Sequence, residues 1–139
     1  MTLLEVLLVA GAVALTALAV SGRSVVLYAL RRDAAEAQAL LEAARHEAVR
    51  KEALVVVRSL PGRLEACLDE NASLACEAGE ALLFARSLPV EGGALLAFNA
   101  LGQPLRAGGL VLERAGSQVT VCLSPGGALE QRPGGGGCG

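Results

Sequence analysis

No proline precedes Pro61, and the first twenty residues, Met1 to Val20, form one apolar run broken by a single carboxylate at Glu5. At about 1.5 Å of rise per residue such a run makes a helix of roughly 30 Å, the thickness of a bilayer core. A charge inside a segment of that kind is costly and marks a functional position by default. A secretory signal peptide needs a positively charged start before its apolar stretch, and none is present. A plain membrane anchor has the right length but gives Glu5 no purpose.

The helical pattern continues past this run. Ser21-Gly22 is a weak point, since glycine costs about 1 kcal/mol relative to alanine inside a helix. From Ser24 onward Leu27, Leu30, Ala34, Ala37, Leu41, Ala44 and Ala48 recur at three-four spacing and make one narrow apolar stripe. Charged residues from Arg31 to Lys51 fill the remaining surface, with Glu47 and Lys51 in the favourable i, i+4 order. The spacing therefore predicts one helix from residue 1 to about 53, roughly 80 Å long, greasy in its first half and amphipathic in its second. The stripe suits a helix lying on a small domain; its alanines bury little area for a coiled coil but permit close approach.

Strand signals follow. Leu54-Val55-Val56-Val57 is β-branched, Pro61-Gly62 marks a turn, and Leu64, Ala66 and Leu68 alternate with Glu65, Cys67 and Asp69. Residues 81–84 and 94–98 are further candidates. Residues 110–114 and 118–123 flank Ala115-Gly116-Ser117, a hairpin signal that places Val119, Val121 and Leu123 on one face and Thr120 and Cys122 on the other. The expected fold class is α+β: a long N-terminal helix packed on a small antiparallel β-sheet domain. With only Tyr28, Phe84 and Phe98 as aromatics, the core must be built from Leu, Val and Ala.

The four cysteines, Cys67, Cys76, Cys122 and Cys138, all follow residue 60. An even number in a small domain beyond a membrane-length segment fits an oxidising compartment. Three pairings are possible, and Cys67–Cys76 with Cys122–Cys138 is favoured because each closes a short local loop. Zinc is the rival, but Cys-x-x-Cys spacing is absent and His46 is remote. The glycine-rich tail from Pro125 would ordinarily be disordered; Cys138 bridged to Cys122 would pin it to the last strand.

The net charge of −2 offers no global attraction to nucleic acid. Residues 1–53 carry six basic and six acidic side chains and residues 54–139 six and eight, so neither part is a basic module. Nor is an active site or a cofactor expected. His46, the single histidine, sits among charged helix neighbours, Ser124 has no histidine at hand for a triad, and glycines 134–137 lack the lysine and following helix of a phosphate-binding loop.

Met1-Thr2-Leu3-Leu4-Glu5-Val6-Leu7-Leu8-Val9 resembles the mature amino terminus of type IV pilins and type II secretion pseudopilins, with Met1 in the place usually held by Phe. The body narrows the likeness to GspH/FimT-type minor pilins and pseudopilins. Ala44-Arg45-His46-Glu47-Ala48 is similar to their helix end and leads directly into a first strand. The Cys67–Cys76 segment, Phe98 to Gly102 and Ser124-Pro125-Gly126-Gly127 follow in the family's order.

This resemblance implies a pilin-like fold with a membrane and filament-core half of the helix over 1–23, its amphipathic half over 24–53, and a β domain with a glycine-rich tail over 54–139. It implies a structural subunit, processed by a prepilin peptidase, N-methylated at Met1 and handled by a pilus assembly platform. The subunit would be held in the bacterial inner membrane with its domain in the periplasm, then packed among other pilins in a filament. Glu5 would meet the terminal amine of a neighbour, with Met1 and Glu5 as the assembly residues. Members proposed to bind DNA carry arginines just after Ser-Pro-x-Gly, whereas Ala128-Leu129-Glu130 follows here. A DNA receptor at a pilus tip would then rely on Arg106, Arg114 or Arg132; the third reading is an anchored domain that never polymerises.

Overall fold

The structure, a computed structural model, describes residues 2–138, and the side chains of all of these except residues 16–21. Met1 lies outside the described residues. One helix, α1 (Leu3–Lys51), precedes eight strands: β1 (Val55–Leu60), β2 (Arg63–Leu68), β3 (Leu82–Ser87), β4 (Leu95–Phe98), β5 (Pro104–Arg106), β6 (Gly108–Arg114), β7 (Ser117–Leu123) and β8 (Leu129–Pro133). The class is α+β, with a helix about 74 Å long.

α1 stops two residues short of the expected end, at a left-handed Glu52 with φ 49°. The Ala53 N–H donates to the Ala48 carbonyl at 3.0 Å and the Glu52 N–H to Val49 at 3.2 Å. This is the Schellman arrangement, with glutamate where glycine is usual. Arg50 and Lys51 in the last turn complement the helix dipole.

The strands form two antiparallel sheets rather than one. The first has the order β3-β2-β1-β4-β5 and the second β6-β7-β8. The chain passes between them at Ala107, between β5 and β6, so one nearly continuous extended segment serves both. Two strands had no clear sequence signal. β5 is three residues long and begins with proline, and β8 has Leu129 as its only apolar residue before Pro133. Both are edge strands, where little side-chain burial is demanded.

α1 lies across both sheets with Leu30, Ala34, Ala37, Leu41, Ala44 and Ala48 fully buried, while Leu27, the first residue of the expected stripe, is half-buried. The alanines bring the helix backbone close to the sheets; the leucines fill the space between, each contributing roughly 2 kcal/mol by burial. Strand alternation sorts the rest. Val55, Val57, Leu96, Phe98, Leu110, Leu112, Val119, Val121 and Leu123 join this main core. Val56, Cys67 and Ala97 face the other side of the first sheet and pack with Leu54, Leu74, Cys76 and Leu95.

The cysteines pair as Cys67–Cys76 and Cys122–Cys138, with Cα separations of 5.8 and 5.5 Å. The first bridge folds the loop after β2 over the outer face of the first sheet. The second ties the tail over the outer face of the second sheet, where the Thr120 hydroxyl also donates to the Gly134 carbonyl at 2.7 Å. A Cβ on Gly109 would fall 2.5 Å from the Cys138 sulfur, so only glycine lets the tail lie this close to β6.

The domain has two ends along α1. Register puts the helix terminus, Leu68 and Phe98 together around Val55, so the Cys67–Cys76 loop and the turn after β4 lie at the upper end. The Ala115–Gly116 hairpin turn faces Gly22, Arg23 and Val26 at the lower end.

Candidate assembly surface

The first helical turn is closed reciprocally. The Glu5 N–H donates to the Thr2 hydroxyl at 3.3 Å, and the Thr2 N–H donates to Glu5 Oε2 at 3.0 Å. This capping box satisfies two donors that a helix start otherwise leaves open, and a carboxylate there is favoured by the helix dipole. Glu5 therefore has a local structural reason beside any partner. The signal, Thr2-x-x-Glu5 at the head of an apolar run, stands in the sequence. Among the described residues Oε1 of Glu5 has no hydrogen-bond partner.

Behind the cap the helix leaves the domain. Every described side chain from Leu3 to Leu15 is exposed, with Leu3 at 78% and Leu15 at 71%. Soluble surfaces rarely present apolar area of this continuity, and such a face calls for a cover. Among the described residues no helix is long and apolar enough to cross a membrane. The segment expected to do so, residues 1–20, includes Met1 and the side chains of residues 16–20, which lie outside those described.

The upper end is organised around Arg45, which lies in the helix-end motif and carries no local sequence signal for such a role. Its Nη2 donates to the Gly127 carbonyl, its guanidinium lies 5.5 Å from the centre of the Phe98 ring, and Glu42 lies 3.6 Å away. Gly102, at φ +78°, packs where a Cβ would come within 2.9 Å of Val49 and 3.3 Å of Arg45. Three short sequence motifs thus converge on one side chain: the helix end, Phe98 to Gly102, and Ser124 to Gly127. Next to it, Arg50 donates to Glu47 at 3.0 and 2.8 Å and holds that carboxyl below the usual range. His46 is exposed on the helix, and the Ser124 hydroxyl accepts from the Ala128 N–H at 3.0 Å to close a turn.

The three candidate DNA-contacting arginines are not brought together. Arg114 turns toward the helix and donates to the buried Asp33 at 2.6 Å. Arg132 pairs across to Thr120, on the opposite face of the same sheet, and its Nε donates to Glu130 at 2.6 Å. Arg106 is exposed on β5, the edge of the other sheet. Two of the three are already neutralised within the chain.

The family described as type II transport protein GspH matches residues 33–127. The chain belongs to that family. The match begins just after Leu30, the first fully buried residue of α1, and ends at the turn held by Arg45, so it takes in all three converging motifs. Two crystal structures of the Pseudomonas aeruginosa (strain PAO1) type IV minor pilin FimU, in space groups P65 and P21, are similar to this GspH-family chain. They are 22% and 20% identical to it, each with a TM-score of 0.57, covering 75% and 76% of this chain and 93% and 90% of their own. At that identity the likeness establishes the pilin fold and no more. No curated protein matches this chain.

Proposed function

We propose that this chain is a minor pilin or pseudopilin, a structural subunit of a type IV pilus-like or type II secretion filament. The observation that carries the reading is the exposed apolar helix from Leu3 to Leu15, capped by Glu5, projecting from a GspH-family domain. Before assembly the apolar run is held in the inner membrane with the domain on the periplasmic side. During assembly it leaves lipid and packs among helices of neighbouring pilins, so its apolar surface stays covered throughout. Glu5 keeps Oε2 on its own Thr2 and offers Oε1 to the terminal amine of a neighbour. A carboxylate in a low-dielectric fibre core needs such a cation, and removing one partner of a buried pair costs about 3–5 kcal/mol.

The capping box sharpens the test. Glutamine can replace glutamate as the reciprocal cap but carries no charge. Glu5→Gln is expected to leave membrane insertion and helix start intact while cutting filament incorporation severely, and Glu5→Val to lose both cap and incorporation. The amount of each variant in sheared filaments and in membranes is the measurement. Incorporation of Glu5→Gln at the wild-type level would remove the charge from the mechanism.

A further inference from the structure

The loop closed by Cys67–Cys76 carries a tripeptide that the filament role leaves unused. Asn71-Ala72-Ser73 is an Asn-x-Ser acceptor of N-linked sugars, with alanine rather than proline in the middle. Residues 70–73 are all exposed. The Asn71 Oδ1 accepts the Ser73 N–H at 3.2 Å, and its Nδ2 donates to Glu77 Oε2 at 2.7 Å. Ala72 between them is left-handed, at φ 55°. The first bond folds the tripeptide into an Asx turn, which draws the hydroxyl-bearing residue back toward the amide. The second seats a carboxylate against the nitrogen that a sugar would take. Each contact agrees on which end of the amide is nitrogen. The other asparagine of the chain, Asn99, is followed by Ala100-Leu101 and spends its carbonyl oxygen on the Leu101 and Gln103 N–H groups, at 3.0 Å each.

Position in the fold favours a bulky attachment here. The loop covers the outer face of the first sheet, so the sheet stands between it and α1. A hydrophilic group on Asn71 meets neither the buried helix stripe nor the exposed apolar run from Leu3 to Leu15. The two disulfides fit an oxidising compartment, where the domain is on the same side of the membrane as enzymes that transfer lipid-linked sugars to protein.

We propose that Asn71 is an N-glycosylation site, the co-substrate being an oligosaccharide carried on a polyprenyl pyrophosphate. A bond forms between Asn71 Nδ2 and the anomeric carbon of the first sugar, while the bond from that carbon to the pyrophosphate oxygen breaks. The lipid pyrophosphate leaves with the electron pair, and the proton lost by Nδ2 passes to a base of the transferase. The contact with Glu77 marks room for such a base beside the nitrogen. The inference rests on the placement of the domain outside the cytoplasm in the filament reading, and on nothing else in it. The attached sugar makes the cover of the first sheet a solubilising surface, away from the helix that packs in the fibre.

Mass spectrometry of the full chain taken from membranes and sheared filaments of its native host tests this. Trypsin releases Leu64–Arg86 as one peptide holding Asn71 and both cysteines of the bridge. In the wild type this peptide is expected to carry a mass increment of whole sugar residues, with fragment ions placing it on Asn71. Asn71→Gln and Ser73→Ala are each expected to lose the increment, and Ser73→Thr to keep it, because either hydroxyl residue completes the acceptor. A retained Cys67–Cys76 bridge in the non-reduced digest separates loss of the site from loss of the fold. An unmodified wild-type peptide, an increment located on Ser73, or one that survives in Asn71→Gln would overturn the site. Filament content separates this from the parent reading. An Asn71 sugar on protein that never enters filaments supports the site and defeats the filament role; an unmodified peptide from wild-type filaments defeats the site alone.

Discussion

Each sheet of this domain has its outer face covered by a disulfide-closed segment, and the two covers are built on opposite principles. The loop closed by Cys67–Cys76 holds itself together. Asp69, buried, accepts from the Ser73 N–H at 3.2 Å and the Leu74 N–H at 2.7 Å, Glu80 and Glu77 tie further turns, and Leu74 packs with Val56, Cys67 and Ala97. The tail closed by Cys122–Cys138 contains four successive glycines, 134–137, and is held by Thr120, by the backbone bond from the Gly134 N–H to the Gln118 carbonyl at 3.0 Å, and by the bridge. One cover is a piece of folded protein that a cross-link tightens. The other is a flexible strand that a cross-link detains.

The two bridges enclose similar loops, with sequence separations of 9 and 16, so the chain-entropy account gives each about 3 kcal/mol. That account assumes the native segment stays ordered without the bridge. The largest effect is therefore expected for Cys67→Ala/Cys76→Ala, a loss of about 2–3 kcal/mol of global stability in urea unfolding, because the loop's internal bonds keep it native while the unfolded chain gains freedom. A loss under about 1 kcal/mol would show that this loop, too, simply detaches. Next is Asp69→Ala, which leaves the Leu74 N–H unpaired and the Ser73 N–H with Asn71 alone, the bridge intact. A cost of about 1–3 kcal/mol is expected in the same measurement, and no change would mean the hydrogen bonds are incidental to the cover.

How far these differences could be read from the chain depends on the kind of signal. The helix stripe Leu30 to Ala48, the strand alternation around β1 and the Ala115–Gly116 hairpin all follow from apolar periodicity, which is local and strong. β5 and β8 were invisible because edge strands bury little and carry proline at one end. The division into two sheets was equally hidden, since it turns on how the chain passes Ala107 rather than on any residue pattern. Glu5 announced itself as a charge in an apolar run, yet its capping role needed Thr2 to be read with it. Arg45 is the harder case. Its neighbours Phe98, Gly102 and Gly127 lie far along the chain, so their order was visible while the reason for it, convergence on one guanidinium, was not.

The tail gives the smallest and most discriminating effect. In Cys122→Ala/Cys138→Ala the unfolded chain gains the same freedom as before, but the native tail gains nearly as much, because five residues from Gly134 to Cys138 come away from the sheet. The two gains oppose each other, and the net change in global stability is expected to stay below about 1 kcal/mol. Local order should change far more. Amide exchange at residues 134–138 is expected to rise to the unprotected rate, while the Val119 and Val121 amides, in the strand beneath, keep their protection. Retained protection in the tail would mean that Thr120 and the backbone bond suffice to hold it. Loss of protection throughout β7 would mean that the tail is structural in the same sense as the Cys67–Cys76 loop. Only the intermediate result keeps the two covers different in kind, and it places the part of the domain easiest to displace beside Glu130 and Arg132, on the face turned away from the helix.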